Sequence, residues 1–511
     1  MKSVGNNSAE YIISNKYNVD ISIAASMSPI KVEKDGIGEG IDYYNYLERF
    51  GIDLSLDRVR ELLKIFGDPH RQFTTVLVGG TNGKGSVTTI LSSLLSGSGC
   101  RCGSYLSPHI LSLNERISID GKQISMEDLD RGMLDIRDKS RYHNIPITQF
   151  EALTALAYIY FFRNRVNIAV MEVGMGGRFD ATNVADPALS IITNVTLDHT
   201  EHLGNTVEAI ADEKLGIIRK DSVTLLGPSP EQVGYGYIEE KTRELSSIRI
   251  VNGRDFSVKI MEDRGGYTSF DLEVQPGGNH PFTLRSIYGL RVQGARYQAL
   301  NASVAAIAYQ VLGHRDGFRV SDEHLRETLK GFSLTGRFQS ITKTPHVILD
   351  CAHNPSGMAE LSGALRSLIR EKRETDSAKG LNYHRKINWV CSFMEDKDIA
   401  GMMREIFGVA NNVFLSQLPL ERSATVKDLT MKTAETLAEG GKQNGRLSRG
   451  NKKIRNYSVF SHPENAIRAA LINTTGYDIL VIAGSIYSLS TYIDLLKEYN
   501  ILEKSSLTGS A

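Results

Sequence analysis

The stretch Val76-Leu77-Val78-Gly79-Gly80-Thr81-Asn82-Gly83-Lys84-Gly85-Ser86 joins a short apolar run to a helical pattern over residues 87–95. A strand, a glycine-rich turn and a helix in this order are typical of a phosphate-binding loop. The glycines let backbone N–H groups approach phosphate oxygens, and the helix N-terminus adds the positive end of its dipole. Lys84 supplies a point charge, and Ser86 supplies a hydroxyl for a metal ion. A chance glycine-rich turn is the alternative interpretation.

The apolar patterns on both sides of this loop predict an α/β architecture. Residues 168–173 and 189–195 are mostly apolar without alternation, which predicts parallel strands buried on both faces. Two amphipathic helices are predicted between residues 41 and 66, and an antiparallel insertion at a sheet edge over 250–292. A second α/β pattern follows Gly336-Arg337, with strands predicted at 347–350, 389–393, 413–416 and 479–483 and a helix at 358–368.

The composition restricts the kinds of partner. The chain has 511 residues, of which 41% are hydrophobic, and 59 basic residues balance 59 acidic ones. This profile predicts a globular protein of two domains, without the charge excess that binds nucleic acid. No apolar run is long enough to span a membrane. The four cysteines, Cys100, Cys102, Cys351 and Cys391, fit neither a disulfide framework nor a zinc site, which favours a reducing compartment.

The loop differs from the common pattern G-x-x-x-x-G-K-[ST], because Gly85 separates Lys84 from Ser86. This variant resembles the phosphate loop of the Mur-ligase superfamily. Motifs downstream resemble, in the same order, those of its dihydrofolate synthase/folylpolyglutamate synthase family: Ser107-Pro108-His109, Asn114-Glu115-Arg116-Ile117, Thr148-x-Phe150-Glu151-Ala152-x-Thr154, Glu172-Val173-Gly174-Met175-Gly176-Gly177-Arg178-x-Asp180-Ala181-Thr182-Asn183, Asp198-His199 and Asp350-Cys351-Ala352-His353-Asn354-Pro355. The chain departs from the family at Leu215, Tyr297 and Cys351, which replace a small residue, a common histidine and a glycine.

The resemblance implies an α/β fold with a P-loop-type, mostly parallel ATPase domain and a second, smaller Rossmann-like domain. The predicted boundaries are a polar N-terminal segment over 1–40, the ATP-binding domain over 41–336, the C-terminal domain over 337–500 and a tail over 501–511. Polar insertions are predicted near 371–386 and 440–455. The second insertion is rich in basic residues and is interpreted as a solvated loop rather than an anion-binding patch.

The resemblance also implies ATP and Mg²⁺ as cofactors, and it assigns residues to them. The nucleotide phosphates would lie on the loop residues Gly80, Thr81, Asn82, Gly83, Lys84, Gly85 and Ser86. Ser107, Glu172 and His199 would hold the metal, although Glu172 alone could equally be a structural salt-bridge partner. The lysine matching Lys214 is carbamylated in this family, which requires a partly deprotonated amine; an exposed helical lysine is the alternative.

Other positions are assigned to the nucleotide, the substrates and catalysis. Gln298 and Asn301 share a helix face and can converge on the nucleotide, unless they only begin a helix. Arg337 lies at the domain junction, where it can reach the γ-phosphate on closure. Asp350 and His353 would face the nucleotide across the cleft, and Lys84, Lys214, Arg337 and His353 are the predicted catalytic residues. Thr148, Phe150, Arg422 and Ser485 are the predicted substrate-binding residues.

The implied reaction is the ATP-dependent ligation of L-glutamate to dihydropteroate through an acyl phosphate. Asn82 and Asn354 resemble dihydrofolate synthases and bacterial bifunctional enzymes, which favours dihydrofolate synthase. A folylpolyglutamate synthase or a bifunctional enzyme acting on reduced folates is the alternative, and a nucleotide-binding module without catalysis is a rival from another class. We expect small-molecule partners, no nucleic acid or membrane, a monomer, and a mitochondrial location for a plant-type protein or a cytoplasmic one otherwise.

Overall fold

The structure is a computed structural model that describes residues 38–51, 55–220, 222–228, 235–245, 248–264, 266–278, 280–380, 383–443 and 456–502. The described residues form an eight-stranded sheet, a three-stranded sheet and a six-stranded sheet. Helices pack on both faces of the two larger sheets, which explains why their central strands are apolar without alternation. The α/β fold class predicted from the sequence is confirmed.

Strand β1 lies near the middle of the eight-stranded sheet, whose order is β4-β3-β2-β5-β1-β6-β7-β8. Both neighbours of β1 are parallel to it, with Val78 opposite Glu172 on one side and Ile191 on the other. Their carboxyl ends therefore meet at one edge of the sheet, the usual ligand edge of α/β proteins. The strands are β1 Thr74–Gly79, β2 Cys102–Tyr105, β3 Ile117–Ile119, β4 Lys122–Gln123, β5 Ile168–Glu172, β6 Leu189–Ile192, β7 Val223–Leu226 and β8 Ile248–Val251.

Ten helices accompany this sheet among the described residues: α1 Glu39–Tyr46, α2 Asp57–Ile65, α3 Lys84–Gly97, α4 Met126–Tyr142, α5 Gln149–Arg163, α6 Thr200–Leu203, α7 Val207–Leu215, α8 Tyr235–Leu245, α9 Arg296–Asp316 and α10 Asp322–Gly331. The first two are the amphipathic helices that the sequence predicts before the loop. Helix α9 is buried almost all round, because it lies between the large sheet and the small antiparallel one. Asn301, in its second turn, lies against Gly83 of the phosphate loop.

The alternating segment after β8 forms the three-stranded antiparallel sheet, in the order β11-β10-β9. Its strands are β9 Phe256–Arg264, β10 Tyr267–Val274 and β11 Ile287–Gln293. The inward residues Phe270, Leu272 and Leu290 are fully buried against α9, which accounts for the alternation in the sequence. The strands form a sheet of their own and do not lengthen the large one.

The six-stranded sheet has the order β12-β13-β17-β14-β15-β16 and is parallel except at β12. Its strands are β12 Gln339–Lys343, β13 His346–Leu349, β14 Ile387–Cys391, β15 Asn412–Ser416, β16 Asn456–Phe460 and β17 Ile479–Ile482, and its helices are α11 Pro355–Ala378, α12 Ile399–Phe407, α13 Val426–Gln443, α14 Pro463–Ile472 and α15 Ile486–Glu498. The sequence missed β12 and β16, because these edge strands are only partly buried and carry no continuous apolar run.

The polar stretch predicted as an insertion near 371–386 is not a loop throughout, because α11 continues to Ala378. Its last turns are held by Arg385, which makes two hydrogen bonds to Asp376 at 2.7 Å. The predicted loop at 440–455 lies mostly outside the described residues, as do most of the N-terminal segment and of the tail. Within the part of the chain that the structure covers, no helix is long and apolar enough to cross a membrane.

Candidate active site

The predicted phosphate loop connects β1 to α3, and its glycines are required by its shape. Gly80 and Gly83 have φ values of 136° and 83°, which side chains rarely adopt. A Cβ atom on Gly80 would also collide with Thr193 Oγ1, and one on Gly83 with Asn301 Oδ1. The loop therefore keeps its backbone open at the N-terminus of α3, the geometry that suits a phosphate group.

Hydrogen bonds tie the loop to the segment that follows β6. Thr193 Oγ1 and Asn194 Nδ2 both donate to Asn82 O, at 2.7 and 3.1 Å. Asn194 Oδ1 accepts from the backbone N–H of Asn82 at 2.9 Å. Thr81 Oγ1 accepts from the backbone N–H of Thr196 at 3.0 Å. The loop is thus held in place before any nucleotide binds.

Two predicted catalytic lysines meet behind the loop. Lys84 Nζ donates to Gly80 O at 3.2 Å and to Thr81 O at 3.0 Å, and Lys214 Nζ donates to Gly80 O at 2.9 Å. Burial, followed by the nearby charge of Lys84, lowers the pKa of Lys214 to about 7. Lys214 on α7 is 4% exposed, so the alternative of an exposed helical lysine is wrong.

Glu172, one of the three predicted metal ligands, lies beside the start of α3. Glu172 at the end of β5 accepts a hydrogen bond from the backbone N–H of Ser107 at 3.0 Å. Burial raises the pKa of Glu172, and the charge of Lys84 partly offsets this. A Cβ atom on Gly85 would lie 3.4 Å from Glu172 Oε2, so the carboxylate faces the first turn of α3.

The first turn of α3 contains a hydroxyl oxygen without a hydrogen-bond partner in the protein, and this oxygen tests whether a metal ion fits there. The hydroxyl of Ser86 is buried and makes no hydrogen bond in the structure. A buried hydroxyl without a partner is costly, and oxygen atoms are the ligands that Mg²⁺ prefers. Ser86 and Glu172 therefore fit a hard divalent cation with phosphate oxygens completing its shell. His199 suits the same role chemically, because burial lowers its pKa to about 4 and leaves the imidazole neutral.

The predicted nucleotide-side pair lies directly behind the loop, at the start of α9. Asn301 Nδ2 donates to Gln298 Oε1 at 3.0 Å, and Asn301 Oδ1 faces Gly83. Both side chains are buried in the core of the domain, and Gln298 Nε2 has no hydrogen-bond partner there. An unused buried donor beside the phosphate loop is available to a ligand.

Asp350 has a structural task at the domain junction. Its Oδ2 accepts from Tyr297 Oη at 2.8 Å and from the backbone N–H of Phe338 at 2.7 Å, while Oδ1 accepts from the N–H of Ala352 at 2.8 Å. Tyr297, which replaces the family's common histidine, thus orients Asp350. The backbone N–H of Phe338 that donates to Asp350 follows Arg337, whose guanidinium lies near Gly85.

The two domains touch at a set of polar side chains, two of which, Asp198 and Lys397, have no role assigned from the sequence. Lys397 Nζ donates to Asp198 Oδ1 at 2.7 Å, and Asn354 Nδ2 donates to Asp198 Oδ2 at 2.9 Å. His353 Nε2 lies 3.5 Å from Asp198 Oδ2. Asp198 precedes His199 in one motif and Lys397 lies in Asp396-Lys397-Asp398, so both positions were visible in the sequence but their pairing was not.

Asn82 and Asn354, which the sequence singles out together, form a direct pair across the cleft. Asn354 Nδ2 donates to Asn82 Oδ1 at 3.0 Å, and Asn82 Nδ2 donates to Asn354 Oδ1 at 3.5 Å. Asn354 Oδ1 also caps α11 by accepting from the N–H of Gly357 at 2.8 Å. The phosphate loop is therefore in contact with the first turn of the second domain.

Two of the four predicted substrate residues cap helices, and the other two have side chains that are not used in this way. Thr148 caps α5 by accepting from the N–H of Glu151 at 3.3 Å, and Ser485 caps α15 by accepting from the N–H of Tyr487 at 3.2 Å. The ring of Phe150 lies against Gly174 and 6.2 Å from the ring of Tyr105. The side chain of Arg422 is 62% exposed and lies 3.5 Å from Asp396.

This fold and this loop define an ATP-dependent ligase of the Mur type. Residues 78–308 match the Mur ligase middle domain, and residues 336–486 match the Mur ligase, glutamate ligase domain. The chain is 31% identical over 356 residues to the probable dihydrofolate synthetase of Schizosaccharomyces pombe, covering 69% of this chain and 79% of that protein. It belongs to the dihydrofolate synthase/folylpolyglutamate synthase family, as its sequence motifs predict.

Two further comparisons support the same family. The folylpolyglutamate synthase of Lacticaseibacillus casei is 30% identical over 388 residues, covering 75% of this chain and 85% of that protein. A crystal structure of a bifunctional folylpolyglutamate synthase/dihydrofolate synthase with Mn, AMPPNP and L-glutamate bound superposes with a TM-score of 0.72 at 26% identity, covering 90% of this chain and 98% of that one. ATP and a divalent metal are thus the cofactors of this ligase family.

Proposed function

We propose that this ligase joins L-glutamate to dihydropteroate, giving dihydrofolate, ADP and phosphate. The observation that carries the proposal is the hydrogen-bonded pair of Asn82 and Asn354. The two asparagines resemble those of dihydrofolate synthases and bacterial bifunctional enzymes, and their direct contact means that the two positions act as one feature of the site. Lysine and threonine, which are commoner in eukaryotic polyglutamate synthases, could not form the same amide pair.

The reaction begins with attack of a carboxylate oxygen of dihydropteroate on the γ-phosphorus of ATP, which releases ADP. The α-amine of glutamate then attacks the acyl carbon, loses a proton, and expels phosphate together with the carboxylate oxygen. Lys84 and Arg337 would bind the phosphates from two sides, because Lys84 leads α3 and Arg337 lies near Gly85. Positioning and charge neutralisation account for most catalysis of phosphoryl transfer.

Mg²⁺ would be held by Ser107, Glu172 and His199, with Ser86 close by, and when bound it would offset the negative charge of the phosphates. Lys214 would carry a carbamate, since a pKa of about 7 leaves much of its amine neutral at neutral pH. Gln298, Asn301, Asp350 and His353 would complete the nucleotide site. Thr148 and Phe150 would border the pterin, and Arg422 and Ser485 would border glutamate.

The alternative function is extension of the glutamate tail of reduced folates, alone or together with the first addition. The Lacticaseibacillus casei relative, a folylpolyglutamate synthase, and the bifunctional enzyme of known structure favour it. We also propose a monomer, located in mitochondria if the chain is plant-type and in the cytoplasm otherwise. Gel filtration with light scattering, and imaging of a fusion to the full chain, test these two points.

The decisive experiment is product identification. With MgATP, the purified protein should release phosphate only when L-glutamate and dihydropteroate are both present. Mass spectrometry of this reaction should detect dihydrofolate. Replacing dihydropteroate by tetrahydrofolate tests the alternative in the same assay. Phosphate release without a glutamylated product from either folate would contradict the proposed function.

A further inference from the structure

Asp198 is a buried carboxylate to which the predicted nucleotide and metal sites give no task. Its side chain is 6% exposed, and its partners Lys397 and Asn354 belong to the other domain. Each of its two oxygens accepts one hydrogen bond from these partners, at 2.7 and 2.9 Å. A carboxylate this buried is normally paired, so its burial depends on side chains that the second domain supplies.

On its own side, Asp198 is linked to the phosphate loop through a short hydrogen-bonded segment. The segment between β6 and Asp198 includes Thr193, Asn194 and Thr196, which contact Asn82 or Thr81 at 2.7 to 3.1 Å. Asp198 Oδ1 also accepts from the next backbone N–H at 2.8 Å, which fixes the direction of the carboxylate. Asp198 is therefore connected to the phosphate loop through several hydrogen bonds.

On the other side, Asp198 contacts two separate parts of the second domain. Asn354 is the N-cap of α11, and Lys397 lies just before α12. Lys397 Nζ is also 3.9 Å from Asp396 Oδ2 and 3.5 Å from His199 Nε2. Because Asp198 contacts two elements of the second domain, these contacts oppose rotation of that domain as well as its separation from the first. A single contact would oppose only the separation.

We propose that Asp198 is a positioning residue that holds the second domain against the phosphate loop, acting through Lys397 and Asn354. We name these three residues the cross-domain clasp. Phosphoryl transfer needs Lys84 of the first domain and groups of the second domain in place together. When the domains part, Asp198 and Lys397 return to water, where their attraction is weak. The clasp therefore favours the closed arrangement of the two domains, whereas the phosphate loop binds the nucleotide.

Three variants test the clasp: Lys397→Met, Asp198→Asn and the double variant. Loss of a charge-assisted contact should lower kcat about ten- to a hundredfold in each single variant, while the Kd for ADP changes about twofold or less. The double variant should be no slower than the slower single one, because both remove the same interaction. Lys397→Arg should recover part of the lost kcat. The control is Lys497→Met, which breaks a pair with Asp494 on α15 and should retain wild-type kcat.

A second readout separates closure from folding. With AMPPNP and dihydropteroate bound, small-angle scattering should give a larger radius of gyration for the single variants than for wild type. Additive losses in the double variant, unchanged kcat, or a loss confined to ADP affinity would overturn the proposal. If Lys397→Met does not fold because Asp198 has lost the ammonium group beside it, the double variant replaces it. Failure of the double variant to fold would make the pair part of the fold and contradict the proposal.

Discussion

Lys84 and Lys214 donate hydrogen bonds to the same backbone oxygen, that of Gly80, at 3.2 and 2.9 Å. Burial lowers the pKa of both lysines, and the charge of Lys84 lowers that of Lys214 further, to about 7. Two ammonium groups on one carbonyl repel each other, so one of them is better neutral. Lys214, with a pKa of about 7, has a substantial neutral fraction at neutral pH and is the amine proposed for modification.

We predict that Lys214 takes up CO₂ as a carbamate with a pH dependence set by this pKa. Only the neutral amine reacts with CO₂, and the amine is mostly charged below about pH 7 and mostly neutral above it. Carbon-13 NMR with labelled bicarbonate should therefore detect a carbamate signal that grows as pH rises through about 7. Lys214→Ala should lack the signal and be severely impaired. An unmodified ammonium in a high-resolution density map above that pH would contradict the prediction.

Lys84→Ala should nearly abolish ligation and leave the fold intact. The amine of Lys84 donates hydrogen bonds to loop carbonyls, so we expect its removal to take little from the core. Losing a charge-assisted contact of about 1.5–3 kcal/mol lowers the rate roughly ten- to a hundredfold, and more if it acts mainly in the transition state. Steady-state kinetics with circular-dichroism melting measures both effects. Turnover at the wild-type rate would show that the loop does not serve the reaction.

Glu172→Gln should raise the metal requirement of the enzyme more than it changes any other property. Glutamine keeps the acceptor for the N–H of Ser107 but loses the negative charge that binds a cation. We expect the Mg²⁺ concentration for half-maximal activity to rise by about ten- to a hundredfold, as is typical when metal-site residues are replaced. Glu262→Gln, on the exposed β9, is the matched control. Equal metal dependence in both variants would remove Glu172 from the metal site.

The sequence predicted the parts of the site that are formed by residues close together in the chain. The loop after β1 follows from the strand, turn and helix pattern, and the carboxylate at the end of β5 was assigned by the family resemblance. The structure brings the two together at one sheet edge. The pairing of Asp198 with Lys397 could not be predicted in this way. The two residues lie in different domains, 199 positions apart, and no periodicity relates them.

Motif matches also leave open which way a polar side chain faces. Thr148, which is predicted to border a substrate, also forms a capping box with Glu151, and Glu151 pairs with Arg58 at 3.1 Å. The spacing Thr148-x-x-Glu151 before an apolar helix is the usual signature of that box and could have indicated the structural task. Asp350, which is predicted to face the nucleotide, is a second example, because Tyr297 and two backbone N–H groups donate hydrogen bonds to its carboxylate.

The central claim is that the first glutamate is the preferred addition, and a ratio of specificity constants tests it most directly. With MgATP and L-glutamate at saturation, kcat/KM should be larger for dihydropteroate than for tetrahydrofolate. A pocket that pairs polar groups with one substrate discriminates against the other, because the unmatched groups stay unpaired. We predict a clear preference for dihydropteroate, with the Asn82–Asn354 pair intact. A larger kcat/KM for tetrahydrofolate would contradict it, and equal values would identify a bifunctional enzyme instead.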